Sequence, residues 1–204
     1  MSENGSGSRL RTREQVLDAA KRRMSLEGTD LTEAQLAGEN LGGLCLRRAI
    51  LTRADLRGAR LSDADLRGAV LEEADLSEAD LSRTWMERVR MTAASASRAV
   101  FVGANLSGAD LERAVLEHAD LSRTRLHRAR FPRARLREAK LIGAWGHQLD
   151  AEESDLSELQ DSGANFPDGR FRAVRADGWI WDHAKLYGCD FSRSRLRKAE
   201  FDFA

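Results

Sequence analysis

From Thr29 to the C-terminus the apolar positions recur every five residues without a break in frame. The clearest run reads Ala54-Asp-Leu-Arg-Gly, Ala59-Arg-Leu-Ser-Asp, Ala64-Asp-Leu-Arg-Gly, Ala69-Val-Leu-Glu-Glu, Ala74-Asp-Leu-Ser-Glu. Each unit is numbered i−2 to i+2, with leucine at i. Thirty-five units fit between Thr29 and Phe203; position i is Leu, Met or Phe in 29 of them and position i−2 is Ala in 21, so two positions in five face a core and three face water. A period of five matches neither the 3.6 of a helix nor the 2 of a strand, and on a continuous helix the leucines would rotate by about 140° per repeat. The chain therefore turns at every unit, with alanine giving the backbone room near an axis and leucine filling the interior.

The pattern predicts one different element at the start. Thr12-Arg-Glu-Gln15 fits a capping box. Val16, Leu17, Ala20 and Met24 fall on one face at helical spacing, and Gly28 stands where a helix would end. Residues 12–28 are read as a helix that caps the rod, the alternative being a partner-binding or mobile segment. Residues 1–11, polar and Gly/Ser-rich, are read as a disordered tail. Beyond Ala144 the frame survives but its chemistry degrades: Gly146, Ala151, Asp161, Ala176 and Trp181 stand at i, and Trp179 at i−2 looks too large for a regular coil. A distorted or looped-out stretch is expected within about 145–181. Ala96 at a leucine site beside Met91 and Phe101 reads as volume compensation.

The A(D/N)LXX units resemble the pentapeptide-repeat family over about six-sevenths of the chain. The resemblance implies an all-β fold: a right-handed, four-sided parallel β-helix over 29–204, of about nine coils, with a short N-terminal capping α-helix. In the residues themselves, the column Arg90, Asp110, Arg130, Asp150, Arg170, Asp190 alternates in charge at a spacing of 20, as neighbours on stacked coils would. A 15-residue coil also avoids like-charge contacts, and four units per coil rests on the resemblance.

Composition narrows the function. Thirty-three basic and 33 acidic residues cancel to a net charge of zero, which disfavours direct nucleic-acid binding or polyanion mimicry, since both need a strong field of one sign. Only Lys21, Lys140, Lys185 and Lys198 are lysine, so arginine dominates, suiting planar multi-donor contacts. No apolar run approaches a membrane span and no signal peptide is evident; a cytoplasmic location is expected. Cys45 and Cys189 fall about seven coils apart, too far for a disulfide. His127 and His147 stack in one i+1 column without an evident third ligand, so no metal and no cofactor is expected. Recurrent Ser at i+1 and Asp or Asn at i−1 read as turn chemistry. No nucleophile, base and orienter converge, and the chain is read as no enzyme.

Summed over outward positions, the four faces carry formal charges of −2, 0, −2 and +4. The positive face displays Arg47, Trp85, Arg88, Arg125, His127, Trp145 and Tyr187, with Arg48 and Arg128 beside them; Trp, Tyr and Arg are the types enriched at interface hot spots. These residues are the candidate partner-binding face. Phe201 and Phe203, at an end without an obvious cap, are the candidate homodimer contact. The leading expectation is a non-enzymatic scaffold that presents a flat face to a protein partner. The alternative comes from the resemblance: some relatives protect DNA gyrase or topoisomerase IV from quinolones, and Trp181-Asp-His-Ala-Lys-Leu-Tyr-Gly-Cys-Asp-Phe is similar to a stretch of those members.

Overall fold

The computed structural model describes residues 13–200. The repeat frame becomes architecture through a single register. Position i−1 of each unit pairs in parallel with the residue 20 further on, as in Asp30↔Ile50, Gln35↔Asp55, Asn40↔Arg60 and Cys45↔Asp65, and these pairings continue as four ladders along the chain. Each pentapeptide therefore stacks on the fourth after it, which resolves the coil length that charge alternation left open. The leucines line the interior; Leu31, Leu56, Leu76, Leu111 and Leu121 are all fully buried, and the alanines at i−2 join them in one continuous core. No coil encloses enough apolar surface by itself, so the coils stabilise one another by stacking.

The backbone donors of a regular unit are all satisfied. In Ala74–Glu78 the Ala74 N–H closes a turn on Leu71 O (3.1 Å), Asp75 N–H bonds Ala54 O on the preceding coil (3.0 Å), and Leu76 and Glu78 N–H bond Ser95 O (2.6 Å) and Ser97 O (2.9 Å) on the following one. The fifth donor, Ser77 N–H, is taken by the Asp75 side chain (3.0 Å). The same bond recurs at Thr32, Gly42, Ser82, Ser107, Ser122 and Ser192. This explains Asp and Asn at i−1: a carboxylate or amide oxygen bonds the N–H two residues on. At two i−2 positions occupied by threonine the hydroxyl folds back on the preceding turn: Thr84 Oγ1 on Leu81 O (2.7 Å) and Thr124 Oγ1 on Leu121 O (2.6 Å). Position i+2 has positive φ in every unit from Glu33 (61°) to Lys198 (55°), and most of these residues are not glycine. The left-handed conformation costs an L-residue about 1 kcal/mol, and the stacking bonds on either side hold it in place.

The N-terminal helix is shorter than the sequence suggested. Helix α1 spans Arg13–Lys21 and buries Val16 and Ala19 against the first coil. Met24 is exposed, because the chain has already left the helix. It has joined the repeat one unit early: Leu26 N–H bonds Cys45 O and Gly28 N–H bonds Arg47 O (both 2.8 Å), so residues 24–28 are the first pentapeptide. An Arg13–Glu39 ion pair ties the helix to the stack. Thr12, the expected capping residue, and the tail over 1–11 lie outside the described residues, as do Phe201 and Phe203.

No segment loops out between 145 and 181. The 20-residue register runs straight through, but the units centred on Asp161 and Trp181 replace their turns with short strands, β1 (Gln160–Ser162) and β2 (Ile180–Asp182), paired in parallel. Trp179, expected to be too large for its position, is fully buried. It fits because alanine replaces leucine at Ala151 and Ala176, leaving the interior light around it. Trp179 packs edge-on against Trp181 (4.1 Å) and Phe171 (5.7 Å), and Phe171 stacks on Phe191 (4.9 Å, 9° between planes). The void left beside them is about 10 Å³. Asp161 is 3% exposed, and its Oδ1 accepts the Ala164 N–H (3.0 Å) that a regular unit would give to a carbonyl. Burial pushes its carboxyl pKa up to about 7.

Candidate binding face

The predicted face is built on the ladder Cys45, Asp65, Trp85, Asn105, Arg125, Trp145, Asn165, Lys185. Trp85 and Trp145 stand on it 51% and 42% exposed, at positions where the pleat leaves no room inside. Each ring is covered by the arginine one coil earlier: the Arg67 guanidinium lies 5.3 Å from the Trp85 ring and that of Arg125 5.7 Å from Trp145. His127 meets Trp145 edge-on at 4.6 Å. The two tryptophans are three coils apart, about 14 Å at the usual strand spacing, so they form separate anchors on one strip.

Beside this ladder the i+1 and i+2 columns enclose a shallow trough of about 970 Å³. Arg47, Arg88 and His127 line it as the sequence placed them on this face, together with Arg48, Arg67 and Arg128; Glu87 is its one carboxylate. Glu87 is engaged by Asn105 Nδ2 (2.7 Å). Arg67, Glu87 and Gln148 were not singled out from the sequence, although stepping by 20 from Arg47 and Arg48 leads to them. Tyr187 is 63% exposed but lies beyond the end of the trough.

His127 Nδ1 accepts the His147 backbone N–H (3.1 Å), which places the His127 proton on Nε2. Burial, then the nearby His147, Arg125 and Arg128, lower its pKa below the usual imidazole value. His147 faces Asp168 (3.5 Å) and His118 faces Glu138 (3.3 Å). Among the described residues no three His, Cys, Asp or Glu side chains group as metal ligands. Both cysteines are free; the Cys189 thiol donates to Phe166 O (3.0 Å), and burial raises its pKa.

The family model for pentapeptide repeats matches eight copies, over residues 54–92, 90–117, 109–144 and 182–204. The chain belongs to the pentapeptide-repeat family. The internal stretch between the matched copies, 145–181, is the one where aromatic residues and Asp161 replace the leucine interior. Among solved structures, this pentapeptide-repeat chain is similar to HetL, involved in heterocyst differentiation regulation in the cyanobacterium Nostoc sp., with 28% identity and a TM-score of 0.84 over 93% of this chain and 94% of that one. It is also similar to full-length QnrB1, a plasmid-mediated fluoroquinolone resistance protein, with 16% identity and a TM-score of 0.73 over 82% of this chain and 91% of that one. No curated protein matches the chain in sequence. Among the described residues no helix is long and apolar enough to cross a membrane.

Proposed function

We propose that the chain is a non-enzymatic scaffold that binds a protein partner through the strip carrying Trp85, Arg88, Arg125, His127 and Trp145. The observation that carries this reading is the coincidence of two exposed tryptophans, each under a guanidinium, with an open arginine-lined trough on the same face. Such a surface offers flat contact area and aromatic anchors without a closed pocket, which suits protein recognition. HetL's involvement in regulation agrees with a binding role. In the finer reading the rod is right-handed and four-sided, about nine coils long, acts in the cytoplasm, and pairs as a homodimer through its C-terminal end. The half-buried Leu186, Phe191 and Leu196 on the last described coil support that contact; equilibrium sedimentation showing monomer alone would remove it.

A photo-crosslinking amino acid at Ser107, in the trough, tests the main proposal. The expected result is a discrete crosslinked species that disappears when Trp85 and Trp145 are both changed to Ser. The same species from the double variant, or from a probe at Arg98 on another face, would sink the reading. The second reading, modulation of a type II topoisomerase, draws on the shared fold with QnrB1. A gyrase cleavage assay with a fluoroquinolone checks it: loss of cleaved DNA on adding the protein supports it, and unchanged cleavage removes it.

A further inference from the structure

The trough differs from the other outward columns in how its charges are arranged. On other columns several arginines are neutralised across coils by acids: Arg83 by Asp63 (2.6 Å), Arg133 by Glu153 (2.7 Å), Arg137 by Glu158 (2.8 Å). In the trough the i+2 column reads Arg48, Gly68, Arg88, Gly108, Arg128, arginine and glycine on alternate coils with no acid between them. Each glycine leaves space for the arginine of the coil before it: a Cβ at Gly68 would lie 3.7 Å from Arg48 Cγ, and one at Gly108 3.5 Å from Arg88 Cγ. Arg48 and Arg88 make no ion pair with any described residue, and Arg128 bonds only the neutral Gln148 (3.2 Å). The result is a row of three guanidiniums, none in an ion pair with a described residue, two coils apart, or about 10 Å at the usual strand spacing.

We infer that this row receives an acidic α-helix of a partner protein, with carboxylates of one helix face meeting Arg48, Arg88 and Arg128 in turn. The assignment rests on the scaffold reading above and names the chemistry of its partner. Residues seven apart on a helix share a face and lie about 10.5 Å apart along its axis, close to the arginine spacing. Same-face residues of an extended strand recur at about 6.7 Å and fall out of step. Guanidinium–carboxylate pairs supply directional, two-pronged contacts, and Trp85 and Trp145 flank the row as apolar anchors. A nucleic acid would also bring negative charge, but the chain as a whole is neutral, and the flanking aromatics are the residue types of protein interfaces.

The test is fluorescence anisotropy with labelled peptides at low salt. One peptide is a helix-former of about 20 residues with glutamates seven apart; its control has the same composition with the glutamates spread round the helix. A single-stranded oligonucleotide of similar length is the third probe. The patterned peptide is expected to bind about tenfold or more tightly than its control and to lose at least about tenfold when Arg48, Arg88 and Arg128 are all changed to Ser. Changing Arg98, Arg123 and Arg193 to Ser instead, at i+2 positions on other faces, should alter affinity by no more than about twofold. Equal binding of the two peptides, undiminished binding by the trough variant, or tighter binding of the oligonucleotide would each overturn the inference. If the Ser107 crosslink to a partner survives the trough variant but not the tryptophan variant, the face still binds a protein and the acidic-helix assignment alone falls.

Discussion

Residues 54–143 and 144–200 share one frame and one register but build their interiors differently. In the first stretch leucine, varied only by Met86, Met91, Ala96, Phe101 and Phe131, fills the inner columns, and the i−2 positions are Ala, Thr or Val. In the second, glycine and alanine occupy leucine sites while Trp179, Leu149 and Leu159 occupy alanine sites, all buried. The comparison shows that the coil is defined by its backbone bonds and turn geometry, with the interior free to redistribute volume so long as the sum is conserved. Among the described residues the second stretch also concentrates buried polar atoms without a hydrogen-bond partner: Ser157 Oγ, Asp161 Oδ2, Asn165 Oδ1 and Trp179 Nε1, against Glu87 Oε2 in the first. Such groups lower local stability.

The sharpest way to break the comparison is Trp179→Ala. Removing a fully buried indole should cost about 3–5 kcal/mol. Because each coil contacts only its neighbours, hydrogen exchange should show protection lost over the C-terminal coils and kept over 54–143. Uniform loss along the rod would mean that the two stretches unfold as one unit.

Next in size is the pH response. Asp161 has a folded-state pKa of about 7, above the ordinary carboxylate value. The folded form therefore takes up a proton relative to the unfolded chain. Its penalty is absent below about pH 4, grows as pH rises towards 7, and levels off above, reaching on the order of 4 kcal/mol. The C-terminal coils should thus be more stable towards urea at pH 5 than at pH 8. Asp161→Asn, which keeps the acceptor for Ala164 N–H, should remove most of that difference; an unchanged pH dependence in the variant would assign it to other groups.

The smallest effect sharpens the regular side. Asp75→Ala strips Ser77 N–H of its side-chain acceptor and should cost about 1 kcal/mol in a urea titration. Asp75→Asn should restore nearly all of it, since the amide oxygen fills the same position; failure of Asn to rescue would show that charge, not the turn bond, is what position i−1 supplies.

How much of this was legible in the residues differs by region. The five-residue frame, the inward leucines and the turn role of Asp and Asn can be read directly, because each is a local requirement repeated many times. The early start of the repeat at Met24 was hidden, since Leu26 and Gly28 fit a helix end as well as a coil and only the bonds to Cys45 and Arg47 decide between them. Trp179 misled because a bulky residue was judged against its own position, whereas its fit depends on the small residues Ala151 and Ala176 at neighbouring leucine sites. At the candidate site the tryptophans and most arginines were visible by stepping through faces, while the trough, the Arg–Gly alternation and the absent counter-charges required the stacking register.

The sequence by itself determined that the chain is a pentapeptide solenoid, which positions face inward, and that no face carries a strong acidic field, because each of these is set by residue type at a fixed period. Tertiary structure decided which residues stand on which: four units per coil, the arginine above each tryptophan, and the space that admits Trp179. Those are relations between residues 20 or more apart, set by how coils stack, and a period of five is compatible with more than one stacking until the backbone bonds between coils choose one.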